Sequence, residues 1–256
     1  MTIAPADYVE GLARGLAVLA GFDTERQRLN ASQAAERAGI SRAAARRHLL
    51  TLLHLGYLES DGQNYWLTPR VLRLSGSYLA SARLPRAVQP VLNRLAGETG
   101  ESFSVVVLDG DDVVIIARSG SHGGPTRVLA HGLHLGARLP AHATSTGQLL
   151  LAALDNRGLA AWLRGRRLAR FTAATLTEPR QLRARIAEIR SQDFSFARDG
   201  HEIGVQALAV PLRDQRGQTV AALNVVQSGQ RDAIDSLLRR LLPRLFQAAA
   251  EIRDVI

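Results

Sequence analysis

The stretch from Asn30 to Trp66 constrains this chain more than any other. It is punctuated at short intervals: Asn30, then Gly39; Ser41, then Gly56; then two aromatic and aliphatic runs around Asp61-Gly62. Asn and Ser start helices by accepting first-turn N–H bonds, and Gly stops them by adopting positive φ. Asp-Gly closes hairpins. The spacing predicts a helix over 31–38, a tight turn at Gly39-Ile40, and a helix from Ser41 to about Leu55. A hairpin follows and ends at Pro69. Upstream, Leu12, Leu16 and Leu19 recur at helical spacing beside Val18 and Phe22, which predicts a first helix over 7–21. Helix, helix, turn, helix and hairpin make a winged helix-turn-helix. A generic small helical domain with a hairpin is the competing reading.

In the third helix Ala45, Leu49, Leu52 and Leu53 share one face, while Arg42, Ala43, Arg46 and Arg47 lie toward the other. A helix that reads a DNA major groove meets base edges with its N-terminal residues. Bulk there would hold the backbone off the duplex. Alanines let it approach, and an alanine methyl can touch a thymine methyl. Arginine can then bind guanine O6 and N7, or clamp a phosphate. The candidate DNA contacts are therefore Ser41, Arg42, Ala43, Ala44, Arg46 and Arg47. Arg26 and Arg28, ahead of the second helix, are candidate phosphate contacts. The wing adds less, since Asp61 is acidic and Gln63 and Asn64 are neutral. A solvated helix face rich in alanine is the alternative.

Charge qualifies this reading. All 32 basic residues are arginine and the net charge is +9. Residues 1–70 nevertheless hold 8 arginines against 7 acidic residues, so most of the surplus lies outside the DNA-reading segment. The total charge is therefore no nucleic-acid signature; it favours anionic ligands or keeps the chain soluble. A reader with almost no net charge binds weakly as one copy. Pairing half-sites in a dimer or dimer of dimers supplies the missing affinity. There is no cysteine, which removes disulfides, thiolate nucleophiles and cysteine-based zinc sites. No apolar run reaches the roughly 18–20 residues needed to cross a bilayer, and the N-terminus lacks a secretory pattern. The expected location is the cytoplasm, with no membrane partner.

Beyond the wing, residues 70–81 predict a helical linker segment and 85–99 another helix. SFSVVVL and DVVIIAR are β-branched runs joined at Asp109-Gly110-Asp111, a hairpin signal. Residues 144–154 and 180–191 read as helices. ALAVPLRD and GQTVAALNVVQ read as strands joined by a turn at 215–217, and 232–255 as a long terminal helix. Strands interleaved with helices on a mainly antiparallel sheet give an α+β domain of the kind that senses a ligand. The expected division is 1–69 winged helix-turn-helix, 70–84 helical linker, and 85–256 α+β domain.

Four segments together resemble the IclR family of bacterial transcriptional regulators: YVEGLARGLAVLAGF, GISRAAARRHLLTLLHLGYL, LPAHATSTGQLLLAAL and IGVQALAVPLRDQRGQTVAALNVV. The resemblance spans nearly the whole chain. LARGLAVL and SRAAARR look most like the branch that controls breakdown of aromatic acids such as protocatechuate and 4-hydroxybenzoate. It implies an operator-binding winged helix-turn-helix, a GAF-like effector-binding domain, and dimers or dimers of dimers on double-stranded operator DNA. It also implies an effector held against the sheet by Ser145, Thr146, Ala197 or Arg198, Val205, Ala207, Asn224 and Val226. The chain departs from that branch at His48, His142 and Ala143 and in ARDGHEIG (197–204), so the ligand is a small carboxylate, aromatic by resemblance, of open identity.

Part of this stands on chemistry alone. Free N–H groups at a helix start, beside the hydroxyls of Ser145 and Thr146, favour an anion; simple capping by Thr144 and Ser145 is the alternative. Asn224 sits in an otherwise apolar strand and needs a hydrogen-bond partner, ligand or protein. Arg198 can pair with a carboxylate or be a surface residue in a turn. Val205, Ala207 and Val226 can wall a ring or simply fill a core. Two other function classes remain. His142 near Ser145 suggests a nucleophile–base pair of an enzyme, but there is no orienting acid and no nucleophile-elbow pattern. His131 and His134, with His122 and His142, have loose metal-ligand spacing but no acidic partner. Neither a metal nor a cofactor is therefore expected. The third class is a protein-binding module, for which DNA affinity would have a shallow salt slope.

Overall fold

The computed structural model describes residues 3–23, 26–119, 134–228 and 233–256. They divide between Tyr78 and Leu79 into two compact units.

In the first unit, α1 (Glu10–Ala20), α2 (Ala31–Ala38) and α3 (Arg42–His54) precede a hairpin of β1 (Leu58–Ser60) and β2 (Tyr65–Leu67). Asn30 makes a full capping box: its side chain accepts from the Ser32 and Gln33 amides, and Gln33 answers on the Asn30 amide. Gly39 ends α2 at φ 64°, so the turn into α3 needs a residue without a Cβ. Asn30→Ala is expected to lower the stability of this unit by about 1 kcal/mol, read as a shifted urea midpoint. The core is Val18, Phe22, Leu29, Ala34, Ala35, Ala45, Leu49, Leu52, Leu58 and Tyr65.

The first helix departs from expectation. It begins at Glu10, after a separate turn at Pro5–Asp7, and it leaves Leu12 and Leu16 63% and 54% exposed. The packed edge runs through Gly15, Val18 and Phe22. A side chain at Gly15 would touch His48 Nδ1. The small residue, not the leucine spacing, chose the buried face. The wing also differs: four residues, Asp61–Asn64, close it. The Asp61 carboxylate accepts from the Gln63 and Asn64 amides, and those bonds hold its pKa below the usual value.

Between the hairpin and the sheet lie α4 (Leu72–Ser81) and α5 (Arg83–Thr99). α5 starts before Pro85, which sits in the first turn, where an N–H has no helical partner anyway. The second unit, to which α5 belongs, continues as β3 (Ser102–Asp109), β4 (Asp112–Arg118), β5 (Arg138–Pro140), α6 (Ser145–Ala153), α7 (Asn156–Leu163), α8 (Pro179–Gln192), β6 (Ser195–Arg198), β7 (Val205–Arg213), β8 (Thr219–Ser228) and α9 (Ile234–Arg253). The six strands form one antiparallel sheet in the order β5-β4-β3-β8-β7-β6.

Strand alternation divides the sheet into two faces. Phe103, Val105, Leu208, Leu223 and Val225 join Leu92 of α5 and Leu241 of α9 in one core. Val106, Ile115, Ala209 and Ala222 join Leu149 of α6 and Ile186 of α8 in another. On the α5/α9 face a chain of side-chain bonds crosses the strands. Arg198 donates to Gln206 (3.0 Å), Gln206 to Gln227 (2.8 Å), and Gln227 to Glu101 (2.8 Å), which also accepts from Arg240 (2.8 Å).

Candidate functional site

The site on the other face is built from α6 upward. Thr144 is the cap: its hydroxyl accepts from the Gly147 amide at 3.1 Å, and its carbonyl accepts from Gln148. That leaves the Ser145 and Thr146 amides as donors no helix carbonyl can take. Gly147 lets the turn at Ala141–Ala143 lie directly on α6, since a Cβ there would overlap the Ala141 carbonyl. Gln148 fastens the same turn by donating to the His142 carbonyl at 2.9 Å. The helix start is thus held rigidly against the sheet.

Between this helix start and the strands lies a cavity of about 90 Å³, several times the room that one water molecule needs. Val106, Ile115, Leu139, Val205, Ala207 and Val226 give it apolar walls. Ser145, Thr146, Asn224 and Ser104 give it polar groups, and Ser104 lies beside Asn224 in strand register. Three buried side-chain atoms have no hydrogen-bond partner among the described residues: Ser145 Oγ, Asn224 Oδ1 and Ser195 Oγ. The first two belong to residues lining the cavity; Ser195 lies outside it. A buried polar atom without a partner costs roughly 1–3 kcal/mol, so a molecule in the cavity that bonds to Ser145 Oγ and Asn224 Oδ1 would recover that cost.

Of the eight residues expected around an effector, Ser145, Thr146, Ala197, Val205, Ala207, Asn224 and Val226 line this space. Arg198 does not. Ala197 faces the cavity, so the next residue faces α9, where Arg198 bonds Gln206 and lies over the Phe196 ring. His201 and Glu202 line the cavity without having been singled out as binding residues. Their only sequence signal was the unusual ARDGHEIG segment. They sit on a loop held by Thr172 and Thr175, whose hydroxyls donate to the Asp199 and Gly200 carbonyls.

The first unit presents the other candidate surface. Ser41 caps α3 by accepting from Ala44 N at 3.2 Å. Arg42, Ala43, Arg46 and Arg47 are exposed, Ala44 is half-buried, and Ala45, Leu49 and Leu52 are in the core. The guanidinium groups of Arg42, Arg46 and Arg47 pair with no described residue, so they are free for an anionic partner. The Arg26 side chain is likewise exposed and unpaired among the described residues. Arg28 is not free: it lies 3.7 Å from Asp61 and over the Trp66 ring, which ties it to the wing.

Comparison with known proteins decides the family. The profile described as "IclR helix-turn-helix domain" matches residues 11–62, and "Bacterial transcriptional regulator IclR C-terminal" matches residues 76–254. The chain belongs to the IclR family of bacterial transcriptional regulators. Among IclR-family relatives, it is 48% identical over 250 residues to the Pca operon regulatory protein of Acinetobacter baylyi, covering 98% of this chain and 90% of that protein. It is 46% identical over 251 residues to the p-hydroxybenzoate hydroxylase transcriptional activator of the same organism, covering 98% and 93%. Its structure is similar, with a TM-score of 0.65 and 39% identity, to the inducer-binding domain of a double mutant of the Acinetobacter PobR transcription factor in complex with 3-hydroxybenzoic acid. That match covers 68% of this chain and 100% of that one. The IclR fold expected from the sequence, a helix-turn-helix domain followed by an α+β effector domain, is the fold observed.

His142 does not meet Ser145; its Nε2–H donates to the Ala169 carbonyl at 2.9 Å. His122 and His131 lie outside the described residues. Among the described residues no group of three or more His, Asp or Glu side chains is placed to hold a metal, and no helix is long and apolar enough to cross a membrane.

Proposed function

We propose that this regulator binds operator DNA through α3 and answers a small aromatic carboxylate held in the cavity beside α6, and so controls genes for aromatic-acid breakdown. The carrying observation is the pair of buried, unpartnered atoms, Ser145 Oγ and Asn224 Oδ1, in an apolar-walled cavity at the start of a helix. A carboxylate takes the free Ser145 and Thr146 amides, with the helix dipole behind them. A ring packs on Val205, Ala207 and Val226, and a hydroxyl of the ligand donates to Asn224. The named regulators and the hydroxybenzoate-bound domain that this chain resembles support the same class of ligand.

In this reading the DNA contacts are Ser41, Arg42, Ala43, Ala44, Arg46 and Arg47, with Arg26 and Arg28 on phosphate. Residues 1–69 are the reader, 70–84 the linker and 85–256 the effector domain. The protein acts in the cytoplasm, without catalysis, as a dimer or dimer of dimers, because a reader with almost no net charge needs two half-sites. The effector acts only through its difference in affinity for two arrangements of the protein.

The test is fluorescence anisotropy on DNA from upstream of the protein's own gene against a scrambled duplex, with and without 4-hydroxybenzoate and protocatechuate. Preference for the native DNA, shifted by one of the acids, is the expected result. Ser145→Ala with Asn224→Ala is expected to weaken acid binding by about tenfold or more and leave DNA affinity unchanged. A fully retained response in that variant would remove the cavity from the mechanism.

A further inference from the structure

The cavity poses a charge problem that the helix start does not solve alone. A carboxylate moved from water into an apolar-walled cavity needs a compensating charge as well as hydrogen bonds. The arginine that the sequence offered for this, Arg198, faces the opposite side of the sheet and is bonded to Gln206. Among the described residues lining the cavity there is no arginine, and the one side chain that can become a cation is His201.

His201 sits at the correct end. Its neighbour Gly200 lies so close to the Ala143 carbonyl that a Cβ would overlap it, which brings this loop onto the turn just before α6. The His201 ring packs at a tilt against Phe171, 4.9 Å between centroids, and Phe171 lies likewise tilted 5.9 Å from the His142 ring. Hydrogen bonds along its length fix the loop. Thr172 and Thr175 hold two of its carbonyls, the Gly204 amide donates to the Asp199 carboxylate (2.7 Å), and the Asp199 amide donates to the Val205 carbonyl (2.8 Å). The imidazole is therefore positioned before any ligand arrives.

Resting on the effector reading above, we infer that His201 is the counter-charge of the bound acid: its imidazole takes up a proton from solvent as the carboxylate enters, so effector binding is proton-linked. In the free protein, burial holds the His201 pKa below its usual value. The Glu202 carboxylate opposes this, and His142 adds to it. The Asp199 carboxylate is occupied by the Gly204 amide, and Arg170, next to Phe171, is bonded to the Ala173 carbonyl and Thr177. At neutral pH the free imidazole is thus mostly uncharged. A carboxylate beside it favours the charged form, so the complex binds a proton that the free protein does not. Affinity is then highest on the acid side and falls as the pH rises.

The experiment is calorimetric titration of the full chain with 4-hydroxybenzoate, protocatechuate and benzoate, in two buffers of different ionisation enthalpy, from pH 6 to 8.5. The uncharged 4-hydroxybenzamide serves as control. For the acids the expected results are uptake of about half a proton or more near pH 7 and a Kd that weakens by about fivefold or more across the range. The amide should show neither. His201→Asn and His201→Gln should abolish the uptake and flatten the pH profile while the thermal unfolding profile stays in place. Tight acid binding with no proton uptake would overturn the assignment and leave the effector reading standing. Uptake that persists in both His201 variants would overturn the assignment to His201. Binding of none of the three acids would overturn the effector reading and this inference together.

Discussion

A chain carrying Arg46→Ala and Arg47→Ala is expected to lose roughly 30-fold to 10⁴-fold in affinity for its operator, the sum of two contacts worth about 1–3 kcal/mol each. The structure makes this a clean experiment. Both guanidinium groups are unpaired among the described residues, so their removal strands no carboxylate. Both positions are exposed on α3, and alanine is the best helix former. The melting profile should therefore hold while anisotropy on the native duplex collapses. The salt series separates two versions of the contact. If the arginines clamp phosphates, binding to native and scrambled DNA weakens together, and the salt slope becomes shallower by about one for each phosphate left unclamped. If they read guanine, preference for the native sequence goes first. Unchanged operator affinity would move the reading surface off this helix.

Gly147→Ala is expected to destabilise the effector domain by about 3 kcal/mol or more, the top of the usual over-packing range. At an exposed helix position the same change would stabilise by nearly 1 kcal/mol, because glycine is the weaker helix former. Here the new methyl would occupy the space of the Ala141 carbonyl. Relief requires the Ala141–Ala143 turn to lift away from α6, which breaks the Gln148 bond to the His142 carbonyl. The proposed effector site is expected to fail with the fold, because the Ser145 and Thr146 amides lie in the same turn. Urea unfolding followed through the effector domain measures the effect. A urea midpoint equal to or above that of the unchanged chain would show that turn and helix have room to separate.

The reader was legible because its signals are local. Asn30, Gly39, Ser41 and Gly56 each act on the backbone within a few residues, and the structure uses each where it stands. The buried face of α1 was not legible from leucine spacing, since Gly15 packs by absence of bulk. Three elements of the effector domain carried no usable pattern. β5 is three residues long and ends in proline, β6 is four residues long, and α7 contains a glycine that its Asp155 cap tolerates. Ala197 and Arg198 could be separated only by knowing which face of β6 meets the cavity, because strand neighbours point to opposite sides. His201 and Glu202 lie in a loop whose path depends on Thr172 and Thr175, nearly thirty positions away. No periodicity encodes that approach.

The line of bonds from Arg198 through Gln206 and Gln227 to Glu101 and Arg240 has a mechanical consequence. Val205, Ala207 and Val226 touch the cavity, and Gln206 and Gln227 project from the same strands on the far side. A guest that pushes a wall residue outward must carry its amide neighbour with it. Hydrogen bonds are sensitive to distance and angle, so a displacement of the cavity wall is expected to register across the sheet, as a change in the geometry of the row that ends on Glu101 and Arg240.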